Sequence, residues 1–235
     1  KATSHLATSE LQCLEVATSD LARRRRKHAK RMLKILKGHR YSRFVTKLQQ
    51  WLDQPHFQAS AEWPIALVLP DLLSPLVNRL LLHPGWLTVI AQPLHPTAQV
   101  GDLRNTQIEG DLNRYGEVLH DLRKQFKRVR YQTEFFVPFY DAAYAKQTEE
   151  FKVLQDLLGE LHDSQVQGEF LENTLGRFWP EVLPSVSDRL QQDRSDLWQQ
   201  WLPLQQKYLN PVFRDQLRAL LLHPQSNDTP QPLAS

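Results

Sequence analysis

Between its proline and glycine breaks the chain spaces apolar residues three and four apart, with no sustained period-two alternation. That spacing argues against a half-buried sheet and for helices that each carry one apolar stripe. The fold class expected is therefore all-α.

The breaks divide the chain. Residues 8–37 read as a first long helix, with Leu14, Ala17, Leu21, His28, Met32 and Ile35 on one face and Gly38 as its stop. Residues 41–52 make a second, carrying Phe44, Val45, Leu48, Trp51 and Leu52. Residues 63–83 read as one apolar helix or two short ones, delimited by Pro64, Pro70, Pro75 and Pro84, and residues 83–102 as a loop. Thr106 and Glu109 have capping-box spacing ahead of a helix that runs to about Phe136. Residues 148–175 are helical, with Gly159 suggesting a break, and residues 186–202 and 211–221 close the fold. Residues 224–235 carry little to bury, which predicts disorder.

Composition narrows the class. With 41% hydrophobic and 23% charged residues, 235 residues suit one or two globular lobes. Cys13 is the sole cysteine and closes no intrachain disulfide, which fits a reducing cytoplasm. The most apolar run, residues 65–82, is interrupted by Pro70, Asp71, Pro75, Asn78 and Arg79, so no membrane span is expected. The N-terminus has no signal-peptide pattern and starts at Lys1 rather than Met, which leads us to expect a fragment or a processed chain.

Charge is unevenly placed. Residues 21–47 hold twelve Lys or Arg and no acid; the remaining 17 basic and 26 acidic residues sum to −9. A concentrated positive segment focuses a field on an anionic partner. On the wheel of this first helix Arg25 and His28 fall close to Leu21 and Met32, with Arg24 and Arg31 along one edge. A buried Arg there would need an acid or a bound anion.

The stretch 119–136 carries the sharpest signal. At about 100° per residue, Leu119, Leu122, Phe126, Val129, Thr133 and Phe136 form one stripe. His120, Arg123, Lys124, Lys127, Arg130 and Tyr131 lie on the adjoining quarter, with Glu134 among them. A solubilising helix puts its charges on the far face, whereas a basic row beside the seam lines a groove between helices. Successive members rise by about 4.5 to 6 Å, a spacing that meets successive groups of a chain polyanion. Arg offers a forked donor, Lys a point charge and His a charge that varies near neutral pH. The plain alternative is a solvated face on which Glu134 pairs with Arg130 or Lys127.

Other chemistries find little support. There is no phosphate-binding Gly-x-x-x-x-Gly-Lys loop and no His-Glu-x-x-His. His162 and Asp163 are adjacent and would point apart, so a structural or capping role is expected rather than a metal site. His120 and Glu134 are roughly 21 Å apart along one helix and cannot act on one bond. Nucleic acid is the serious rival partner, but aromatic platforms interleaved with the basic residues are not evident, and Trp51, Trp179, Trp198 and Trp201 have core spacing.

The run from His120 through Asp121, Leu122, Arg123, Lys127 and Arg130 to Phe136 resembles the characteristic helix of CHAD domains, the conserved histidine α-helical family. Leu158-Gly-Glu-Leu-His-Asp163 and the run from Gly38 to Leu52 are similar to two further family segments. The resemblance implies two pseudo-symmetric helical bundles around a basic central cavity. It implies binding of inorganic polyphosphate, often on granules, without catalysis, metal or cofactor. By the same resemblance His120, Arg123, Lys124, Lys127, Arg130 and Tyr131 belong to the basic helix of the second bundle, and Arg24, Arg25, His28 and Arg31 to the Arg-rich helix of the first. Residues 1–60 would be the remainder of the first bundle and residues 61–223 the second. The family's opening His-x-x-Arg helix has no counterpart before Leu11, so the first bundle is expected to lack its N-terminal part. Family members often accompany a triphosphate tunnel enzyme, but its β barrel with alternating Glu and Lys is absent, leaving an accessory module as the enzymatic alternative.

Overall fold

The computed structural model describes residues 7–88 and 102–225, with only the backbone described at 102–109, 111 and 113. Within those residues there are eight α-helices and no strand: α1 Thr8–Leu36, α2 His39–Asp53, α3 Ile65–Leu81, α4 Asp102–Phe135, α5 Ala142–Leu175, α6 Trp179–Val182, α7 Pro184–Leu209 and α8 Pro211–Leu222. The chain is all-α, as its periodicity requires. Several expected boundaries shift. α4 begins at Asp102, so Thr106 lies inside the helix rather than at its cap. α5 passes Gly159 without a break. α3 and α7 likewise continue through Pro70, Pro75 and Pro203. Pro138 falls in a short 3-10 turn, Val137–Phe139. Most of the expected 83–102 loop and nearly all of the expected disordered tail, residues 89–101 and 226–235, lie outside the described residues.

The chain divides into two compact units, residues 1–63 with 168–187, and residues 64–167 with 188–235. Residues 168–187, which the sequence places with the second bundle, therefore group with the first unit. α5 and α7 each contribute residues to both units.

In the first unit α1 packs on α2 and α6. Its burial is sparse: Ala17 is 2% exposed, while α2 buries nothing, with Phe44, Leu48, Trp51 and Leu52 all exposed. Trp51 is thus a surface residue among those described, not the core residue its spacing suggests. The unit's best-defined polar contact is Glu10, buried, whose carboxylate accepts the Ser185 N–H at 2.9 Å and the Ser185 hydroxyl at 3.0 Å. It thereby meets orphan donors at the start of α7. The Ser185 N–H chiefly, then the Ala7 N–H and the Ser185 hydroxyl, outweigh burial and hold the Glu10 carboxyl below its ordinary value of 4.5. A depressed carboxyl stabilises the fold above its unfolded value and loses that contribution as pH falls through the folded one. Acid titration followed by circular dichroism is accordingly expected to show an early transition below pH 4.5 that Glu10→Gln removes; superimposable acid curves for the two proteins would refute this.

In the second unit α3 packs on α4 and α8. Leu69, Leu73, Val77, Leu80 and Leu81 of α3 are at most 1% exposed. The stretch Ile65–Leu87 is long and apolar enough to cross a membrane by length and composition alone, but these five leucine and valine side chains are committed to protein packing. They join Leu119, Leu122, Phe126 and Val129 of α4 and Phe151, Leu154, Leu158 and Leu161 of α5 in one core cluster. Trp86, in the 3-10 turn Pro84–Leu87 after α3, lies parallel to Tyr208 at 4.8 Å and to Trp201 at 5.4 Å, and edge-on to Phe126 at 5.6 Å.

α4 and α5 form an antiparallel hairpin. Gln165 donates to the Leu112 carbonyl at 2.9 Å, His120 meets His162, Arg123 lies over Gly159, and Tyr144 donates to the Thr133 carbonyl at 3.1 Å. These pairs step in opposite directions along the two helices. The register decides which α5 residues face the basic row.

Candidate functional site

The expected seam of α4 is the buried one: Leu119, Leu122, Phe126, Val129 and Thr133 are at most 4% exposed, and Phe136 is partly buried. Because the basic row is only about a quarter-turn away, its stems are drawn into the same interface. His120, Arg123, Lys127 and Arg130 are half-buried, while Lys124 and Tyr131 are exposed.

Arg123 crosses directly over the backbone of α5 at Gly159. A Cβ on residue 159 would sit 3.1 Å from Arg123 Nε and 3.5 Å from Nη2. The glycine therefore serves the close approach of a guanidinium and not the helix break its rank as a poor helix former suggests. Arg123 Nε is buried and makes no hydrogen bond, as is true of His120 Nδ1 and Arg130 Nε. Buried polar groups almost always find partners, and the three on this row stand beside orphaned atoms elsewhere, such as Glu150 Oε1 and Trp201 Nε1, but they alone are cationic or imidazole nitrogens gathered along one helix face.

Neighbouring acids affect the row unequally. Lys124 pairs with Asp121 at 2.7 Å. Asp121 also accepts from His83 at 3.0 Å, and because His83 Nδ1 accepts the Gly85 N–H, the neutral His83 ring must carry its proton on Nε2. Lys124 first and His83 second hold the Asp121 carboxyl down to about 2. Glu134 comes within 3.3 Å of Arg130 Nε, outside hydrogen-bond geometry, so it neutralises charge without satisfying the donor. Arg130 also lies 4.5 Å over the Tyr131 ring, which occupies the aromatic in a cation–π contact. Arg123 and Lys127 have no acid partner among the described residues. Acids thus neutralise Lys124 and in part Arg130, while Arg123 and Lys127 keep their charge uncompensated by any acid among the described residues.

His120 meets His162, whose place beside Asp163 in the sequence suggests only a structural or capping role. Its ring centroid is 3.9 Å from that of His162 on α5, at 33° between planes. Because α5 is continuous, His162 is a mid-helix residue and not a helix-start cap. Burial mainly, then the charges of His162, Lys124 and Arg123, push the His120 imidazole below its ordinary 6.5, with Asp121 opposing. The signal for His162 was its position one helical turn after Gly159, which only the hairpin register makes meaningful.

The first-unit residues behave differently. Arg24 pairs with Asp20 at 2.6 Å and covers the Phe170 ring at 5.5 Å; Arg23 also pairs with Asp20. Arg25, His28 and Arg31 are exposed, together with Leu21 and Met32 beside them. The expectation that Arg25 and His28 sit on a buried face and demand a compensating anion is therefore corrected: water solvates them. Asp20 lies one residue outside the acid-free run 21–47, which is why charge counting missed it.

A basic central cavity is not defined by these contacts. A groove between α5 and α7 in the second unit is lined instead by Glu160, Asp163, Asp193 and Asp196, with Arg189 held by Asp193 at 3.0 Å. Among the described residues no group of three or more His, Cys, Asp or Glu side chains is placed to hold a metal ion. What the α4–α5 site offers is a row of underneutralised cationic donors with fixed stems.

No curated protein and no solved structure matches the chain. The family model for the CHAD domain matches residues 2–172, which covers α1, α4 and all but the last three residues of α5. A helical chain whose α4 row and α5 glycine meet in this way, and which the model matches over well over half its length, belongs to the CHAD domain family.

Proposed function

We propose that this protein binds inorganic polyphosphate along the α4 row, with Arg123, Lys127 and Arg130 as the principal donors, His120 beside them, and no catalytic step of its own. The observation that carries this reading is Arg123: a half-buried guanidinium, unpaired, with its Nε orphaned against Gly159. An unpaired cation beside a core is costly unless something anionic compensates it. A linear polyanion suits a row of cations one helical turn apart, because each turn meets another charged unit. Membership of the CHAD family supports a polyphosphate-related role. Arg24, Arg25, His28 and Arg31 would add exposed, screened charge rather than oriented donors. A reducing cytoplasm, with recruitment to polyphosphate granules, is the setting that suits this role.

The test is a titration with long-chain polyphosphate at two salt concentrations, with single-stranded DNA and RNA as competitors. Affinity should fall steeply with salt, with a log–log slope of about −0.7 per phosphate contact if the polymer behaves as a flexible single strand. Polyphosphate should also outcompete both nucleic acids. Equal affinity for all three polymers would replace this reading with a general phosphodiester binder.

A further inference from the structure

We propose that His120 and His162 form a single proton-accepting pair that couples binding of a condensed-phosphate oxyanion at Arg123 to proton uptake; this rests on the polyphosphate reading above. The two rings come from facing helices and sit 3.9 Å apart. One turn along each helix, Arg123 of α4 lies over Gly159 of α5. Two imidazoles and one guanidinium therefore occupy adjoining levels of the same hairpin face.

Charge on this cluster is limited by its own neighbours. Protonating both rings puts two like charges in contact, with Arg123 and Lys124 adding more of the same sign. The one nearby acid that helps, Asp121, is already shared between Lys124 and His83. Of the acids beside His162 on α5, Glu160 and Asp163 line the groove toward α7. His120 Nδ1 is buried without a partner to accept its proton. Among the described residues, no acid beyond the shared Asp121 stands by to compensate a second positive imidazole.

A bound polyanion changes that balance. Drawn to Arg123 and Lys127, it brings negative charge to the rings and favours their protonated forms. By linkage, a ligand that raises proton affinity binds more tightly where protons are available. The sign is therefore fixed: affinity increases as pH falls toward the ordinary imidazole range, and the increment vanishes at higher pH. The internal units of a long condensed phosphate keep a constant charge over the same range, so the titrating partner is the protein. His162 becomes a site residue through this coupling.

Calorimetry of long-chain polyphosphate in two buffers of different ionisation enthalpy at pH 7 measures the proton count directly. The intact chain is expected to take up about half to one proton per site and to bind roughly tenfold more tightly at pH 6 than at pH 8. His162→Gln should at least halve the uptake and flatten the pH effect to under about threefold. On the unsubstituted protein, the ring C2–H resonances of both histidines should move toward the imidazolium position when polyphosphate is added at pH 7. Binding that is equally tight at both pH values, with identical heats in the two buffers, overturns the coupling while leaving polyphosphate binding intact. Proton uptake that is undiminished in His162→Gln also overturns it. No binding at either pH removes the polyphosphate reading, and this proposal with it.

Discussion

Replacing Arg123, Lys127 and Arg130 together by alanine is expected to weaken polyphosphate binding by at least about a hundredfold, with helix content unchanged by circular dichroism. Hydrogen bonds to charged groups contribute about 1.5–3 kcal/mol each, so even partial use of three such donors exceeds that loss. The salt slope should flatten by about two, since three phosphate contacts at about 0.7 each disappear. The fold should tolerate the change because Arg123 and Lys127 have no acid partner to strand, and the seam residues Leu122, Phe126 and Val129 are untouched. Arg123→Met alone makes the sharper distinction. If the guanidinium is kept for a ligand, removing it should raise unfolding free energy by about 1 kcal/mol while lowering affinity, because an unsatisfied buried donor is deleted and the apolar stem retained. A variant less stable than the parent would mean that Arg123 holds the hairpin together, and unchanged affinity in the triple variant would return the row to a solvated face.

Trp86→Ala should be the most damaging single change to stability, costing about 3–5 kcal/mol by chemical denaturation. The indole is 1% exposed and lies against Tyr208, Trp201 and Phe126 at once. Its Nε1 donates to the Leu80 carbonyl at 2.7 Å, and its own carbonyl accepts from Gln205 at 2.9 Å. Each aromatic contact adds roughly 0.5–1.5 kcal/mol beyond area burial. Phe126 is also a seam residue of α4, between Arg123 and Lys127 in the row's register, so the loss of Trp86 should loosen the helix that positions the donors. Weaker polyphosphate binding is then expected near the unfolding midpoint but not far below it. A cost under about 1 kcal/mol would show that the aromatic cluster repacks around the gap.

Trp86 also shows where sequence reasoning stops. It lies in residues 83–102, whose proline and glycine content reads as loop, and no period marks a single indole as the centre of a core. Gly159 misleads in the opposite direction: its low helix propensity suggests a break, while α5 tolerates it because Arg123 uses the space. Trp51 has helical core spacing and remains exposed, since spacing assigns a residue to a face but not to a neighbour.

The helices of this protein, the buried seam of α4 and the place of the basic row beside it follow from the sequence alone. They depend on a repeat of 3.6 residues per turn that any local segment carries in full. Which cations in that row are neutralised is a tertiary result. Asp121 is shared with His83, 38 residues away in the chain; Arg123 is set over Gly159, and His120 against His162, by the register of the α4–α5 hairpin. Burial and electrostatic pairing are properties of the helix on the other side of an interface, and periodicity does not specify which helix that will be.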